Sequence, residues 1–216
     1  MSTRSLLAVA ALAGSLAAAL PAQAAPTPAV SVSGSGQFAN DADWTLGWTF
    51  TTGPQALSVT ALGLWVEQAY GGSLAPLPVA IWNASGGSAV ASANVGACYP
   101  NQEPAGHGGF CYGSIAPVVL AANTEFVIGG LFLHTNLTNY SWDWSTFSVA
   151  PGLTFGHAVS RSGGTFGVPN GDDTAWASNG WFGPNFKFEV SDVPAPGTLA
   201  LLGIGALAAA LRRRRG

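Results

Sequence analysis

Residues 44–51 read WTLGWTFT, and their alternation decides the fold class. Leu46, Trp48 and Phe50 fall on one side of an extended chain, with Thr45, Gly47, Thr49 and Thr51 on the other. A period of two, rich in aromatic and β-branched residues, predicts a half-buried strand. NFKFEV at residues 185–190 repeats the pattern, setting Phe186, Phe188 and Val190 against Lys187 and Glu189. Because a one-residue slip exchanges the two faces, this assignment predicts Leu46, Trp48, Phe50, Phe186, Phe188 and Val190 inside and Thr45, Thr49 and Lys187 outside.

Apolar runs at 57–66 (LSVTALGLWV), 77–82, 89–95, 115–120, 125–134 (EFVIGGLFLH) and, more weakly, 153–159 extend the pattern. Turn chemistry divides them: Thr52-Gly53-Pro54, Tyr70-Gly71-Gly72-Ser73, Ser85-Gly86-Gly87-Ser88 and Ser162-Gly163-Gly164. Short strands separated by glycine-rich turns predict an all-β fold, a single β-sandwich of jelly-roll-like type. It is expected over 38–191, after a Ser-, Gly- and Pro-rich flexible lead-in at 25–37.

The two ends carry different signals. Residues 1–24 hold Arg4, an apolar run over 6–20, and Pro21 before Ala22-Gln23-Ala24. Basic, apolar and small-residue regions in that order read as a cleavable secretory signal peptide. At the other end the uncharged run 198–211 is followed at once by Arg212, Arg213, Arg214 and Arg215. As a helix it would reach about 21 Å at 1.5 Å per residue, short of a hydrocarbon core of about 30 Å. The arginines favour the cytoplasmic side, which leaves the body outside.

Five of the seven Lys and Arg residues lie in these ends, whereas all ten Asp and Glu lie between them. The body keeps only Arg161 and Lys187, for a formal charge of −8. Without clustered bases, nucleic acid is not an expected partner. Cys98 and Cys111 are the two cysteines. In an exported body they predict a disulfide that closes a loop, worth on the order of 3 kcal/mol in the chain-entropy picture. His107 inside that loop offers a Cys-His-Cys metal site as the alternative, but structural zinc ordinarily takes four ligands.

Residues 193–203 (VPAPGTLALLG), the apolar run after them and the arginine block together resemble the PEP-CTERM sorting signal. Where that family has Pro-Glu-Pro, this chain has Pro194-Ala195-Pro196, followed by Gly197. The resemblance implies a sorting tail over 192–216 that forms a short hydrophobic helix, inserts transiently in the inner membrane of a Gram-negative bacterium and is read by an exosortase-type processing protease. It also implies an exported protein of the cell envelope, cell surface or extracellular matrix, of a kind linked to exopolysaccharide and biofilm. In the body, residues 44–50, 59–63, 79–83, Ser85-Gly86 and 183–186 resemble a recurring β-sandwich of such proteins, which implies a fold and no activity.

No Gly-x-Ser-x-Gly elbow, His-Glu-x-x-His helix or phosphate loop occurs. The histidines are His107, His134 and His157, with no spacing that favours catalysis, and an enzyme is not expected. Asn40-Asp41-Ala42-Asp43 and Asn170-Gly171-Asp172-Asp173 offer oxygen ligands, so Asp41, Asp43, Asp172 and Asp173 are candidate calcium ligands, though the same residues are ordinary turn formers. Of eight tryptophans, Trp142, Trp144, Trp176 and Trp181 fall in loop-like stretches and are the candidates for stacking on sugars. Two functions are therefore expected: a surface or matrix-associated structural protein without a small-molecule site, or a lectin-like carbohydrate-binding module that uses those tryptophans. Their placement discriminates, since side by side on one exposed face they would favour binding.

Overall fold

The computed structural model describes residues 25–66, 75–96, 109–136, 139–173 and 183–191. The signal peptide, the sorting tail, Cys98, His107, Trp176 and Trp181 lie outside the described residues. Among those described, the chain is nearly all strand: β1 (Thr27–Pro28), β2 (Val30–Ser33), β3 (Gln37–Ala39), β4 (Trp44–Thr52), β5 (Leu57–Val66), β6 (Leu77–Asn83), β7 (Ala91–Val95), β8 (Gly109–Leu120), β9 (Glu125–Phe132), β10 (Tyr140–Trp142), β11 (Thr146–Val149), β12 (Leu153–Ser162), β13 (Gly171–Asp172) and β14 (Pro184–Val190). A short 3-10 turn at His134–Asn136 follows β9.

Two antiparallel sheets form the sandwich. One has six strands in the order β13-β12-β4-β9-β6-β7, the other four in the order β1-β14-β5-β8. The chain passes between them from β4 to β5, β5 to β6, β7 to β8, β8 to β9 and β13 to β14, the alternation of a jelly-roll-like sandwich. Two small ribbons, β2 with β11 and β3 with β10, complete the body.

The inner face of β4 makes the core. Trp48 and Phe50 are fully buried, and both rings meet Phe186 of the facing sheet, at centroid distances of 6.1 and 5.0 Å. The Trp48 indole N–H donates to the Pro184 carbonyl at 3.0 Å, so the ring is buried with its polar atom satisfied. Beside it, Gly130 on β9 opens a gap that Leu64 of the other sheet fills. A methyl at Gly130 would lie 2.6 Å from Leu64 Cδ1.

The alternation holds at Leu46, Trp48, Phe50, Phe186 and Phe188, all within 3% exposure. It fails at three places. Thr45 and Thr49 are buried because the outer face of the six-stranded sheet is also covered. Thr45 shares its row with Arg161 and Leu131. Residues 163–170 lie across the neighbouring strands, with Phe166 5.4 Å from Trp82 and Pro169 packed at Gly129. Thr49 sits beneath the bulge of β12 between Phe155 and Ala158, where its hydroxyl accepts from the His157 backbone N–H at 3.0 Å. Val190 is 45% exposed, since β1 pairs with β14 only at Phe188 and Lys187 and leaves that corner uncovered. Lys187 is half-buried, its ammonium 4.4 Å over the Tyr112 ring.

Residues 25–37, expected as a flexible lead-in, instead contribute β1, β2 and the start of β3, with Ala29 and Val30 buried. The physical reason is the fully buried Asn185. Its side-chain oxygen accepts from Val30 N at 3.2 Å, and its amide donates to Val30 O and to the Tyr112 hydroxyl, both at 2.9 Å. Both backbone groups of Val30 are bonded by a side chain 155 residues away, and the rest of the segment pairs with β14, β11 and β10, so its own composition does not reveal the strands.

Trp48→Ala is expected to cost about 3–5 kcal/mol, since it empties the centre of this stack. Chemical denaturation monitored by far-UV circular dichroism measures it, and a variant as stable as the parent would refute the assigned register.

Candidate functional site

Trp142 and Trp144 are adjacent in a short loop sequence, but the backbone separates them. Asp143 between them adopts a positive φ of 50°, a left-handed conformation that Asp tolerates better than most residues. Trp144 therefore turns into the core, 2% exposed, against Trp65 at 4.7 Å and Phe38 at 5.6 Å, with its indole N–H donating to Ser141 Oγ at 3.2 Å. So placed, it is a core residue and presents no face to a sugar. Trp142 stays half-buried on the opposite side of the β3–β10 ribbon, next to Tyr140 with ring centroids 5.5 Å apart.

That side of the ribbon forms one wall of a cleft of about 480 Å³. Ala39, Tyr140 and Trp142 come from the ribbon, Trp44 and Leu46 from β4, Ser160 from β12, Asp41 from the turn between β3 and β4, and Asp173 from the end of β13. The Asp41 carboxylate organises it. Asp41 Oδ1 accepts from the Tyr140 hydroxyl at 2.7 Å and from the Trp44 indole N–H at 3.2 Å. The Tyr140 hydrogen bond holds the Asp41 carboxyl below the usual carboxylate range, assisted by Trp44 and opposed by partial burial. Burial and the adjacent carboxylate raise the Tyr140 phenol far above its ordinary range, so it stays a neutral donor.

The four candidate calcium ligands diverge. Asp41 serves Tyr140 and Trp44, whereas Asp43 Oδ1 accepts from His134 N at 2.8 Å. Asp172 stands opposite Val159 at the sheet edge, and only Asp173 shares the cleft with Asp41. Among the described residues, no group of three or more His, Cys, Asp and Glu side chains comes together to hold a metal. The described histidines are engaged locally: His134 Nδ1 lies 2.7 Å from the Asn40 carbonyl oxygen, and His157 Nδ1 lies 3.1 Å from the Thr49 hydroxyl. Cys111 is buried on β8, while Cys98 lies outside the described residues.

Sequence reasoning picked out Asp41, Asp173 and Trp142 separately, for different chemistries, and missed Trp44, Tyr140 and Ser160. The i, i+3 spacing of Asp41 and Trp44 is a local signal that lets the indole reach back to the carboxylate. Tyr140 is 99 residues away from Asp41 and left no such trace.

The PEP-CTERM protein-sorting motif matches residues 192–215, which include Pro194, Ala195, Pro196, Gly197 and the four terminal arginines. It implies an exported protein, sorted by an exosortase at the cell envelope. No curated protein and no solved structure matches the chain.

Tyr140→Phe removes the first cause of the Asp41 shift, so the Asp41 pKa should rise, as read by carboxyl-carbon NMR titration. A depressed folded-state pKa contributes stability that is present above the unfolded value and lost as pH falls through the folded one. The variant should therefore lose the Asp41 contribution at a higher pH than the parent during acid titration. An unchanged Asp41 titration would show that the hydrogen bond is absent in solution.

Proposed function

We propose that this is an exported structural protein of the cell surface or exopolysaccharide matrix of a Gram-negative bacterium, sorted by an exosortase-type protease that reads its tail. The observation that carries the proposal is the PEP-CTERM motif placed directly behind a closed β-sandwich. Most of the described tryptophans support it as well, since Trp48, Trp65, Trp82 and Trp144 are 5% exposed or less and serve packing. The acidic body suits solubility in the extracytoplasmic space. No catalytic role is assigned to it, because its described histidines are engaged in fixing turns and a bulge.

The tail would insert in the inner membrane during sorting, with Arg212 to Arg215 on the cytoplasmic side, and be cut near Pro194-Ala195-Pro196. The intact mass of protein recovered from the envelope tests this. The expected species begins near Ala25 and lacks the four arginines, and a species retaining Arg212 to Arg215 would overturn the processing.

A Cys98–Cys111 disulfide belongs to the same proposal. Cys111 is 1% exposed on β8, and Cys98 is the chain's other cysteine. Thiol titration of the unfolded, unreduced protein should find no free thiol; finding two would refute the bridge.

A further inference from the structure

We propose that the end of the sandwich from which the tail departs rests on the periplasmic leaflet of the inner membrane while the tail is inserted, with the opposite end turned away from the lipid. This orientation rests on the sorting role proposed above and adds to it the surface by which the body meets the bilayer.

Strand register defines that end. Thr52 closes β4 opposite Leu153, Val190 and Leu120 both stand opposite Leu57, and Asn83 closes β6 opposite Phe126. The connecting turns, 53–56, 84–90, 121–124 and 150–152, are bonded into one platform. Gly53 N–H donates to Gly152 O at 2.8 Å, Asn123 N–H to Gly53 O at 2.9 Å, and Ala84 N–H to Glu125 O at 3.1 Å. Ser191, where the described body ends, is tied to it by donating to Ala56 O at 2.8 Å.

Three features suit this platform to a lipid surface. The first is reach. Residues 192–197 alone separate Ser191 from the uncharged run 198–211. Six extended residues span at most about 20 Å, so an inserted tail keeps the platform within that distance of the headgroups. The nine residues of β4 carry the other end about 30 Å further away.

The second is charge. The turn sequences GPQA, ASGGSAV, AANT and APG contain no charged residue. Asp41 and Asp43 precede β4 at the far end, where Asp173 shares a cleft with Asp41. A leaflet that holds anionic lipid repels carboxylates, which favours turning that end outward. Near the platform Glu125 and Glu189 belong to strands and Asp192 follows Ser191, so the platform suits headgroup contact and not burial in hydrocarbon. The third is apolar exposure. Among the described residues Val119 and Val190, 57% and 45% exposed, are the large hydrophobic side chains left open to solvent. Both lie at this end, opposite Ser58 and Leu57. At the headgroup boundary such side chains leave water without entering the acyl core.

The chain has a single lysine, Lys187, so amine chemistry can be made selective. In a Lys187→Arg background, Gln55→Lys and Ser85→Lys each place an amine on the platform. Ser162→Lys places one at the far end, opposite Trp44, and all three positions are exposed. The full chain is exported by a Gram-negative host without an exosortase. The tail-bearing protein is then reconstituted in vesicles of phosphatidylethanolamine and phosphatidylglycerol and treated with a short amine-to-amine cross-linker. Peptide mass spectrometry locates the coupled phosphatidylethanolamine. Gln55→Lys and Ser85→Lys should each couple about tenfold more lipid than Ser162→Lys, given the strand length between them. Equal or greater coupling by Ser162→Lys overturns the orientation, and so does the absence of lipid coupling in all three. Coupling of chain to chain in place of lipid at Gln55→Lys and Ser85→Lys also overturns it, making the platform a contact between copies. Vesicle flotation reads tail insertion separately. Protein that fails to float refutes the sorting role and the orientation together, whereas protein that floats with equal coupling at all three positions refutes the orientation alone.

Discussion

The contact on which the sandwich depends is the meeting of Trp48 on β4 with Pro184 and Phe186 on β14. It joins the centre of one sheet to the other in two ways. The indole stacks on Phe186, and its N–H is satisfied by the Pro184 carbonyl. A buried indole without a partner carries a penalty, as Trp65 does here with an Nε1 that finds none among the described residues. Trp48 avoids that penalty only while β14 stays in register. Aromatic packing and hydrogen bonding therefore specify the same alignment, and the nearby insertion of Leu64 at Gly130 agrees with it. Agreement between independent terms is what gives one structure an energy gap over its alternatives.

From that alignment follows the role of the N-terminal segment. β14 would be an exposed edge of the four-stranded sheet, and unpaired edges invite association with other chains. Thr27 and Pro28 pair with Phe188 and Lys187, and the Asn185 side chain then takes over both backbone groups of Val30. Past that clamp the segment leaves β14 and pairs with β11 instead. One short stretch thus covers an edge and bridges to a ribbon.

The cleft is a consequence of unequal sheets. Six strands cannot be covered by four, and the two ribbons supply the rest of the cover. Where the β3–β10 ribbon crosses β4 and β12, the described residues line a cleft, with Trp44, Trp142 and Asp41 among them. The core aromatics stabilise the fold, whereas these marginal ones combine packing with access to solvent.

Much of this was legible along the chain. The alternation at 44–51 and 185–190 identified strands, and inward-pointing Trp48, Phe50, Phe186 and Phe188, because side-chain direction in a strand has a fixed period. The glycine turn at Gly86 and Gly87 was equally plain, and both residues have positive φ, at 97° and 104°. The sorting motif at 192–215 is likewise a property of linear sequence, since a protease reads it as a segment. What tertiary structure alone decided concerns second faces and distant partners. Thr45 and Thr49 are buried because another segment and a bulge cover their side, which a period of two cannot foresee. The strap at 25–37 depends on Asn185, and the parting of Trp142 from Trp144 depends on a single left-handed residue. The cleft needs Asp41, Tyr140 and Asp173 to meet from three places in the chain. Local propensity acts over a few residues, whereas such contacts exist only once the two sheets have closed on each other.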